Sequence, residues 1–408
     1  MPTTNISGRD GHGQSPCVDP QDGDCRRRPS RTMRLTQLVL LAIGAYFCSS
    51  VALWAQTSDS QTGDADKSWT ATTESQSDNV NPTRTTESHT RSGNRTLDNQ
   101  SVQRRGSDGH FEPYQDIEKE TVKVDATTVR TTTRTFGRDA SGEKTLVQVT
   151  EEEKHTLPGG DSKVVRATSN SDGNGNLQLV QRQTEETKRI SKDVEETKTT
   201  VMLPSVSGGL APAMKVEERR TRGANDTVQS QKTTLFPDGA GTWQVGEIRQ
   251  ATTRQEGKNR TTEERVSRPD SEGKLGDISR TVSKESESSS GEKRNTVETY
   301  SIDLPGSTRD GSLHLVDRAT TVQHTSSTGD QTTEQQAEQP NPGDPGSGVR
   351  VTTITTDTVR PGPSGAQATR TIQARDASGS FGVVSVDTTR SDNVHAVQVQ
   401  IAPSEKPK

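Results

Sequence analysis

The chain has few of the residues that build a compact core. Of its 408 residues, 25% are hydrophobic and 3% are aromatic, whereas ordinary globular domains are roughly 45–50% apolar. So little apolar surface cannot form a large core, which excludes a sizeable globular enzyme. The chain also lacks an excess of one charge, because 51 basic residues are mixed with 56 acidic ones. Without a sustained basic stripe, we expect no nucleic-acid binding.

Long apolar runs and cysteines are equally scarce. Cys17 and Cys25 precede the single long apolar run, residues 35–55, and Cys48 lies inside it. The chain after this run therefore has no disulfide, no thiol nucleophile and no cysteine metal site. Met33 lies in the basic stretch before the run, so residues 1–32 are interpreted as a polar extension from a mis-called start.

The apolar run is interpreted as an export signal. Arginines precede it and small residues end it, so residues 33–55 are predicted to be a signal peptide cut after Ala55. The alternative is an uncleaved single membrane span, which would make residues 35–55 the chain's only contact with a membrane. Both interpretations place residues 56–408 outside the cytosol, in a secreted, periplasmic or cell-surface location.

Motifs that could carry catalysis are incomplete. Ser271 and Lys274 match S-x-x-K, and Ser391 begins an S-D-N triplet, but the K-T-G of penicillin-binding enzymes is missing. The seven histidines are scattered, and none forms H-x-x-x-H with a carboxylate partner. We therefore predict a protein that is not an enzyme, with no catalytic, cofactor-binding or metal-binding residues and no cofactor.

Other motifs have simpler structural interpretations. Asp172 opens D-x-N-x-N, as in a calcium loop, but Leu177 replaces the required glycine and Gln183 the bidentate glutamate. This stretch is interpreted as a hairpin turn. Trp243 could stack on a sugar but is interpreted as a hydrophobic plug. Glycosylation sequons, relevant only in a glycosylating host, begin at Asn94, Asn99, Asn225 and Asn259.

A turn repeated along the chain is the strongest signal present. The pentapeptide RDASG occurs at residues 138–142 and again at 375–379. Similar turns recur at intervals near 34 residues, each followed by a short apolar burst, and a second set of turns lies midway between them. Their opening residues are Asp139, Asp172, Ser207, Asp238, Asp270, Asp310, Asp344 and Asp376.

The repeat and the high threonine content predict an all-β fold. We expect an elongated antiparallel hairpin array, either a meander or a solenoid, of about eight repeats after a disordered N-terminal region. A largely disordered polyampholyte is the alternative. The expected organisation is a Ser/Thr-rich tether at 56–115, a main array at 116–325, a linker or degenerate repeat at 326–348, further repeats at 349–402 and a tail at 403–408.

The predicted function follows from export, the polar tether and the repeat. We expect a non-catalytic structural or interaction protein of the cell envelope or extracellular space, acting as a stalk, spacer or adhesive surface. The alternative is a secreted repeat protein that binds carbohydrate or divalent cations along its Asp/Gly turns. The partner is unknown, with another surface protein, a polysaccharide and a second copy of the chain as candidates.

Overall fold

The computed structural model describes residues 68–77, 80–139, 141–172, 174–303, 311–341, 343–363, 365–376 and 378–391. All of them belong to one compact unit, Asp59–Lys408. The expected polar extension 1–32, export segment 33–55 and tail 403–408 lie outside the described residues. The described chain consists of β-strands joined by short turns, with one 3₁₀ turn at Pro158–Gly160.

Twenty strands follow one another in chain order. They are β1 (Trp69–Ser77), β2 (Val80–Ser92), β3 (Arg95–Arg105), β4 (Phe111–Lys123), β5 (Thr128–Arg138), β6 (Lys144–Thr156), β7 (Ser162–Ser171), β8 (Leu177–Arg189), β9 (Val194–Pro204), β10 (Leu210–Arg222), β11 (Val228–Pro237), β12 (Trp243–Glu256), β13 (Asn259–Pro269), β14 (Leu275–Glu287), β15 (Lys293–Ser301), β16 (His314–Thr325), β17 (Gln331–Asn341), β18 (Asp344–Gly362), β19 (Gly365–Arg375) and β20 (Phe381–Ser391).

The strands form one antiparallel sheet that closes on itself. Each strand pairs with the next, and β1 also pairs with β20, from Thr73 opposite Ser391 to Ser77 opposite Asp387. The prediction of an all-β antiparallel hairpin array is confirmed. The prediction of an elongated, open meander or solenoid is wrong, because the twisted sheet closes into a barrel and thereby pairs the two edges that an open array would leave free.

Strands also occupy segments for which the sequence suggested little structure. Strands β1, β2 and β3 and the start of β4 lie within residues 56–115, the expected tether, and β17 lies within the expected linker 326–348. These segments have few apolar residues, but their polar side chains pair across strands. Gln100 donates to Glu87 at 2.8 Å, and Arg84 to Glu74 at 2.6 Å. Such cross-strand pairs stabilise a strand that hydrophobicity does not reveal.

The repeated turn has one hydrogen-bond pattern. In the first RDASG, the Asp139 N–H donates to the Glu143 carbonyl at 3.1 Å and the Gly142 N–H to the Asp139 carbonyl at 3.0 Å. Gly142 has a φ of 84°, which glycine adopts without strain. The second RDASG forms the same turn, with 2.8 and 3.1 Å for the equivalent bonds. Both pentapeptides are therefore turns between paired strands.

One predicted turn opener is misplaced by two residues. In PSVSGG the opening N–H belongs to Ser205, which donates to the Gly209 carbonyl at 3.0 Å, so Ser207 is not the opener. The turn also occurs once before the first RDASG, at Gly106. Asp310 lies outside the described residues, and Asp344 begins β18. The corrected openers of the first six turns are close to 33 residues apart: Gly106, Asp139, Asp172, Ser205, Asp238 and Asp270.

A β-bulge explains the apolar bursts after these turns. Thr135 lies opposite Gln148 and the next residue, Phe136, lies opposite Leu146, so Val147 is left unpaired. The extra residue breaks the alternation of faces, which is why consecutive apolar residues occur there. An unpaired residue recurs in every second hairpin, from β3–β4 to β19–β20: Tyr114, Val147, Val180, Ala213, Gly246, Ile278, Val316, Thr352 and Val384.

The register divides the side chains into a lumen face and an outer face. Directly opposite residues share a face, so the pairing carries each face around the whole barrel. One face holds five of the seven buried described residues: Ala71, Val201, Val266, Thr355 and Ala368. We assign it to the lumen, because side chains crowd on the concave side of a closed sheet.

The barrel has no filled core. Twenty strands about 4.8 Å apart and tilted by about 40° give a backbone radius of roughly 20 Å, so side chains from opposite walls do not meet. Only five hydrophobic residues of the described chain are buried. Neighbouring strands instead pair through polar groups in the lumen, as between the hydroxyls of Thr187 and Thr197, 3.0 Å apart.

Candidate interaction surface at the upper rim

The barrel has two chemically different rims. We call the end formed by the turns after odd-numbered strands the upper rim, and the end formed by the turns after even-numbered strands the lower rim. Strand β1 begins at the lower rim with Trp69, and β20 ends there with Ser391. The described chain therefore enters and leaves at the lower rim, and the upper rim consists of turns alone.

Apolar side chains collect on the outer face next to the upper rim. Leu177, Leu179, Leu275 and Val383 are exposed there, at 46%, 41%, 43% and 58%. Five half-buried aromatic residues lie at the same level, each within three residues of an upper-rim turn. We call this set the apolar band: Phe111, Phe136, Leu177, Leu179, Trp243, Leu275, Tyr300, Phe381 and Val383.

A cation from a nearby strand lies over each aromatic ring of the band. The Lys144 ammonium lies 4.0 Å from the Phe136 ring centroid, and the Lys215 ammonium lies 4.1 Å from that of Trp243. Each contact joins two strands, adjacent or next but one, through an attraction between the cation and the ring face. The other three pairs are Arg84 with Phe111, Arg280 with Tyr300, and Arg375 with Phe381.

Carboxylates at the tips of the turns cap the upper rim. Asp139 accepts hydrogen bonds from the Ser141 hydroxyl at 2.6 Å and the Glu143 N–H at 3.0 Å. These bonds, that of Ser141 first, hold the pKa of Asp139 below its ordinary value. Hydrogen bonds lower the pKa of three further turn carboxylates. The main donor is the Asn174 N–H for Asp172, the Thr242 hydroxyl for Asp238 and the Ser378 hydroxyl for Asp376. The upper rim thus carries carboxylates held in their charged form.

Below the band, the outer face is held by cross-strand ion pairs. Arg318 bonds Glu298 on one neighbouring strand at 2.9 Å and Glu338 on the other at 3.2 Å. Burial alone would lower the pKa of Arg318, but the hydrogen bond that it donates to Glu298 and the charge of Glu338 outweigh it, and its pKa is raised. The outer face is therefore apolar near the upper rim and ionic below it.

The lumen has a comparable network around Glu247. Arg249 donates to Glu247 at 2.6 Å and Arg268 at 2.8 Å. Burial raises the pKa of Glu247, but the hydrogen bonds from Arg268 and Arg249 exceed that effect, and its pKa is lowered. Glu263 and Arg265 form a further ion pair, 3.0 Å apart, on the outer face of β13. Neither face of β12 and β13 is therefore apolar along its full length.

The residues of the incomplete enzyme motif do not meet. Ser271 and Lys274 lie in an upper-rim turn, whereas Ser391 ends β20 at the lower rim. The rest of the S-D-N triplet, residues 392 and 393, lies outside the described residues. A nucleophile and its base must be within hydrogen-bonding reach, so this arrangement supplies no acyl-transfer site.

The calcium-like stretch is a turn whose carboxylate is already engaged. Asp172 accepts from the Asn174 N–H at 2.8 Å and the Asn176 N–H at 3.1 Å, and its second oxygen accepts from the Asn176 side chain at 3.1 Å. No group of three or more His, Cys, Asp or Glu residues that could hold a metal ion occurs in the described part of the chain.

Sequence reasoning found Trp243 but not the band to which it belongs. Phe111 and Phe136 are isolated in sequence and carried no signal individually, and Phe381 was visible only as the start of an apolar burst. All three lie within three residues of the first or last residue of a repeated turn. The 33-residue repeat could therefore have shown that they lie at the same level of the fold. In the residues that the structure describes, no helix is long and apolar enough to cross a membrane.

Comparison with known proteins adds little to this description. No protein-family model matches the chain, and no curated protein is detectably similar to it. Among solved structures, the crystal structure of the beta domain of the Bordetella autotransporter Brka is similar over 81% of this chain and 99% of that chain, with 8% identity and a TM-score of 0.10. A score of 0.10 does not establish a shared fold.

Proposed function

We propose that the chain is an exported, non-catalytic interaction protein, whose barrel is a scaffold and whose upper rim is the adhesive surface. The apolar band is the observation that carries this proposal. Its apolar side chains occur at one level of the outer face on seven of the twenty strands, and exposed apolar surface with a polar border is typical of an interaction site. The acidic turn tips border the band on one side and the ion pairs on the other.

The position of the chain ends supports this function. The segment that precedes β1 leaves from the lower rim, so a tether or anchor attached there holds the barrel by the end opposite the band. The upper rim is then free to meet a partner. Of the three expected roles, an adhesive surface fits better than a stalk or spacer, because adding strands to a closed sheet does not extend it.

Export can be tested with a reporter enzyme that folds only outside the cytosol. We expect residues 1–67 fused to alkaline phosphatase to give phosphatase activity, and the same fusion without residues 35–55 to give none. Activity that persists without residues 35–55, or no activity in the intact fusion, would contradict an exported protein.

The rim can be tested with two matched triple variants of residues 56–408. Leu177→Ser/Leu275→Ser/Val383→Ser removes exposed aliphatic groups from the apolar band. Val124→Ser/Leu157→Ser/Ile190→Ser removes groups of similar exposure, 50%, 48% and 56%, from separate lower-rim turns. We expect the first variant to reduce retention on a phenyl-bearing matrix severalfold more than the second, because its residues share their level of the outer face with five aromatic rings. Equal retention of the two variants would remove the basis for an adhesive upper rim.

Divalent-cation binding by the turns is the second candidate, and the shared turn geometry is the observation that favours it. Its weakness is that each carboxylate already accepts hydrogen bonds from its own turn. Cation binding can be tested by measuring the melting temperature of residues 56–408 with millimolar calcium and with a chelator. A higher melting temperature with calcium would favour the cation-binding function. Equal melting temperatures would leave the interaction function.

A further inference from the structure

The lumen carries an arc of cations at its lower end. Strands β2, β4, β6, β8 and β10 each end at the lower rim with a basic residue on the lumen face. These residues are about 33 residues apart in sequence, so the repeat itself sets their spacing. We call them the luminal arc: Arg91, Lys123, Lys154, Arg189, Arg220 and Arg222, the last two both on β10.

The cations of the luminal arc form no ion pairs in the described chain, unlike three cations on the outside of the same wall. Outside, Arg130 lies 2.8 Å from Glu153, Lys163 lies 2.8 Å from Glu186, and Arg219 lies 3.1 Å from Glu196. Within the described residues, no member of the luminal arc has a carboxylate oxygen within 4.0 Å. All six side chains belong to exposed residues. The fold therefore neutralises these outer cations but leaves the six of the luminal arc facing one lumen.

The strands between them add little negative charge. The lower ends of β3, β5 and β7 place Thr96, Val129 and Ser162 in the lumen, and only β9 contributes an acid, Glu195. Glu195 lies opposite Arg189 and Arg220 in the register but forms no ion pair of 4.0 Å or less with either. A cavity lies at this point of the lower rim, and its charged lining consists of four cations and two carboxylates: Arg189, Lys192, Arg220, Arg222, Asp193 and Glu195.

Stability gives no reason for such an arrangement. Unpaired like charges in one aqueous lumen repel one another, although weakly, since they are about a Debye length apart at physiological ionic strength. A linear polyanion that follows the wall would neutralise all of them and release its own counterions, the term that dominates such binding. We propose that the luminal arc binds an acidic polysaccharide.

The spacing of the cations favours this class of polyanion. Cations on alternate strands are about 10 Å apart along the wall, twice the distance between neighbouring strands. A polysaccharide with an acid group on every second sugar carries charge at a comparable interval. A nucleic acid carries one phosphate per roughly 3.4 Å of each strand, and single-stranded nucleic acid is held chiefly by stacking on aromatic residues. One aromatic residue lies at this end of the lumen, Trp69, and its ring is already stacked on that of His89, with centroids 5.8 Å apart.

The test compares two variants of residues 56–408 with equal change in charge. Arg189→Gln/Arg220→Gln/Arg222→Gln alters the luminal arc, and Arg130→Gln/Lys163→Gln/Arg219→Gln alters paired cations on the outside. Fluorescence anisotropy would measure the binding of labelled hyaluronate, with neutral dextran and a 20-nucleotide oligo(dT) as comparisons, at 50 and 200 mM NaCl. Circular dichroism would confirm that both variants remain folded.

We expect hyaluronate to bind the unmodified chain at 50 mM NaCl and to bind more weakly at 200 mM. The luminal variant should lose about tenfold or more in affinity, and the outer variant no more than about threefold. Equal losses in the two variants, or no binding at 50 mM NaCl, would overturn the proposal. Tighter binding of oligo(dT) than of hyaluronate would overturn the assignment to a polysaccharide. Loss of the apolar band should leave the affinity for hyaluronate unchanged, so this inference and the proposed function can fail separately.

Discussion

The hydroxyl of Thr389 donates a hydrogen bond to that of Ser75 at 3.3 Å, although 314 residues separate them in the chain. The two residues are directly opposite in the pairing of β20 with β1. This contact lies at the seam that closes the barrel, and every other pair of neighbouring strands is also consecutive in sequence. The seam is therefore the most direct test of the fold.

A disulfide across the seam should form readily. Opposite residues of an antiparallel pair have Cα atoms about 4.5–5.5 Å apart, within the range that a disulfide spans. In residues 56–408, which contain no other cysteine, we expect Ser75→Cys/Thr389→Cys to oxidise and to migrate faster on a non-reducing gel. Closing so long a loop should stabilise the fold by about 5 kcal/mol, because it removes conformational entropy from the unfolded chain.

The control for the seam places the second cysteine one residue away. Thr388 is adjacent to Thr389 but points to the other face of β20, so Ser75→Cys/Thr388→Cys should remain reduced under the same conditions. Similar oxidation of both variants, or of neither, would mean that β1 and β20 do not pair in this register.

Acid should destabilise the protein through its turns. The pKa values of Asp139, Asp172, Asp238 and Asp376 are below the ordinary value, and that of Asp125 is lowered to about 2, by the Thr127 N–H first. A carboxyl with a depressed pKa in the folded state stabilises the fold above its ordinary pKa of 3.8 and loses this effect as the pH falls.

We therefore expect the melting temperature to be nearly constant down to about pH 5 and to fall below about pH 4. In Asp139→Asn/Asp376→Asn, which keeps an acceptor but cannot titrate at those turns, the fall should be smaller. Thermal melts followed by circular dichroism between pH 7 and pH 2 measure both. A melting temperature unchanged down to pH 2 would contradict the role of the turn carboxylates.

Removing the charge of Glu247 should cost more than removing that of its neighbour Glu264. Glu247 is 15% exposed and bonds two guanidinium groups, whereas Glu264 is 38% exposed and lies 3.3 Å from Arg249 alone. We expect Glu247→Gln to lower the free energy of unfolding by about 2 kcal/mol and Glu264→Gln by less than about 0.5 kcal/mol. Urea unfolding of the two variants measures the difference, and equal losses would contradict the luminal network.

Gly246 should not tolerate a methyl group. A Cβ added there would overlap the ring atoms Cδ2 and Cε2 of Phe236, whereas one added at Gly276 would meet nothing within 4 Å. We expect Gly246→Ala to cost about 1–3 kcal/mol and Gly276→Ala to be nearly neutral. Unfolding measurements on Gly246→Ala/Phe236→Val should recover much of the loss, since the smaller side chain removes the overlap. Additive losses in that double variant would contradict the bulge geometry.

The turns of this fold could be predicted from sequence because their determinants are local. Asp139 and Gly142 provide the acceptor and the positive φ within one pentapeptide. The opener at Ser205 was missed because both serines of PSVSGG can accept a hydrogen bond from a nearby N–H, and the regular 33-residue interval alone distinguishes them. In the sequence, the β-bulges could be recognised only as short apolar bursts.

Closure could not be predicted in the same way. The pairing of Thr73 with Ser391 has no signature in either strand, since both are polar and nothing in their composition specifies a partner. The early strands were missed for a related reason: β2 and β3 have almost no apolar alternation and depend on pairs such as His89 with Asp98, 2.5 Å apart. The apolar band required knowing which residues share one rim and one face.

The meeting of the first and last strands changes what gene duplication can do to this protein. In an open array, each added 33-residue unit would make the molecule longer. Here each unit contributes one more hairpin to a ring, so duplication would widen the bore by two strands while leaving its height unchanged. Selection on repeat number in such a family would therefore act on the size of what fits inside.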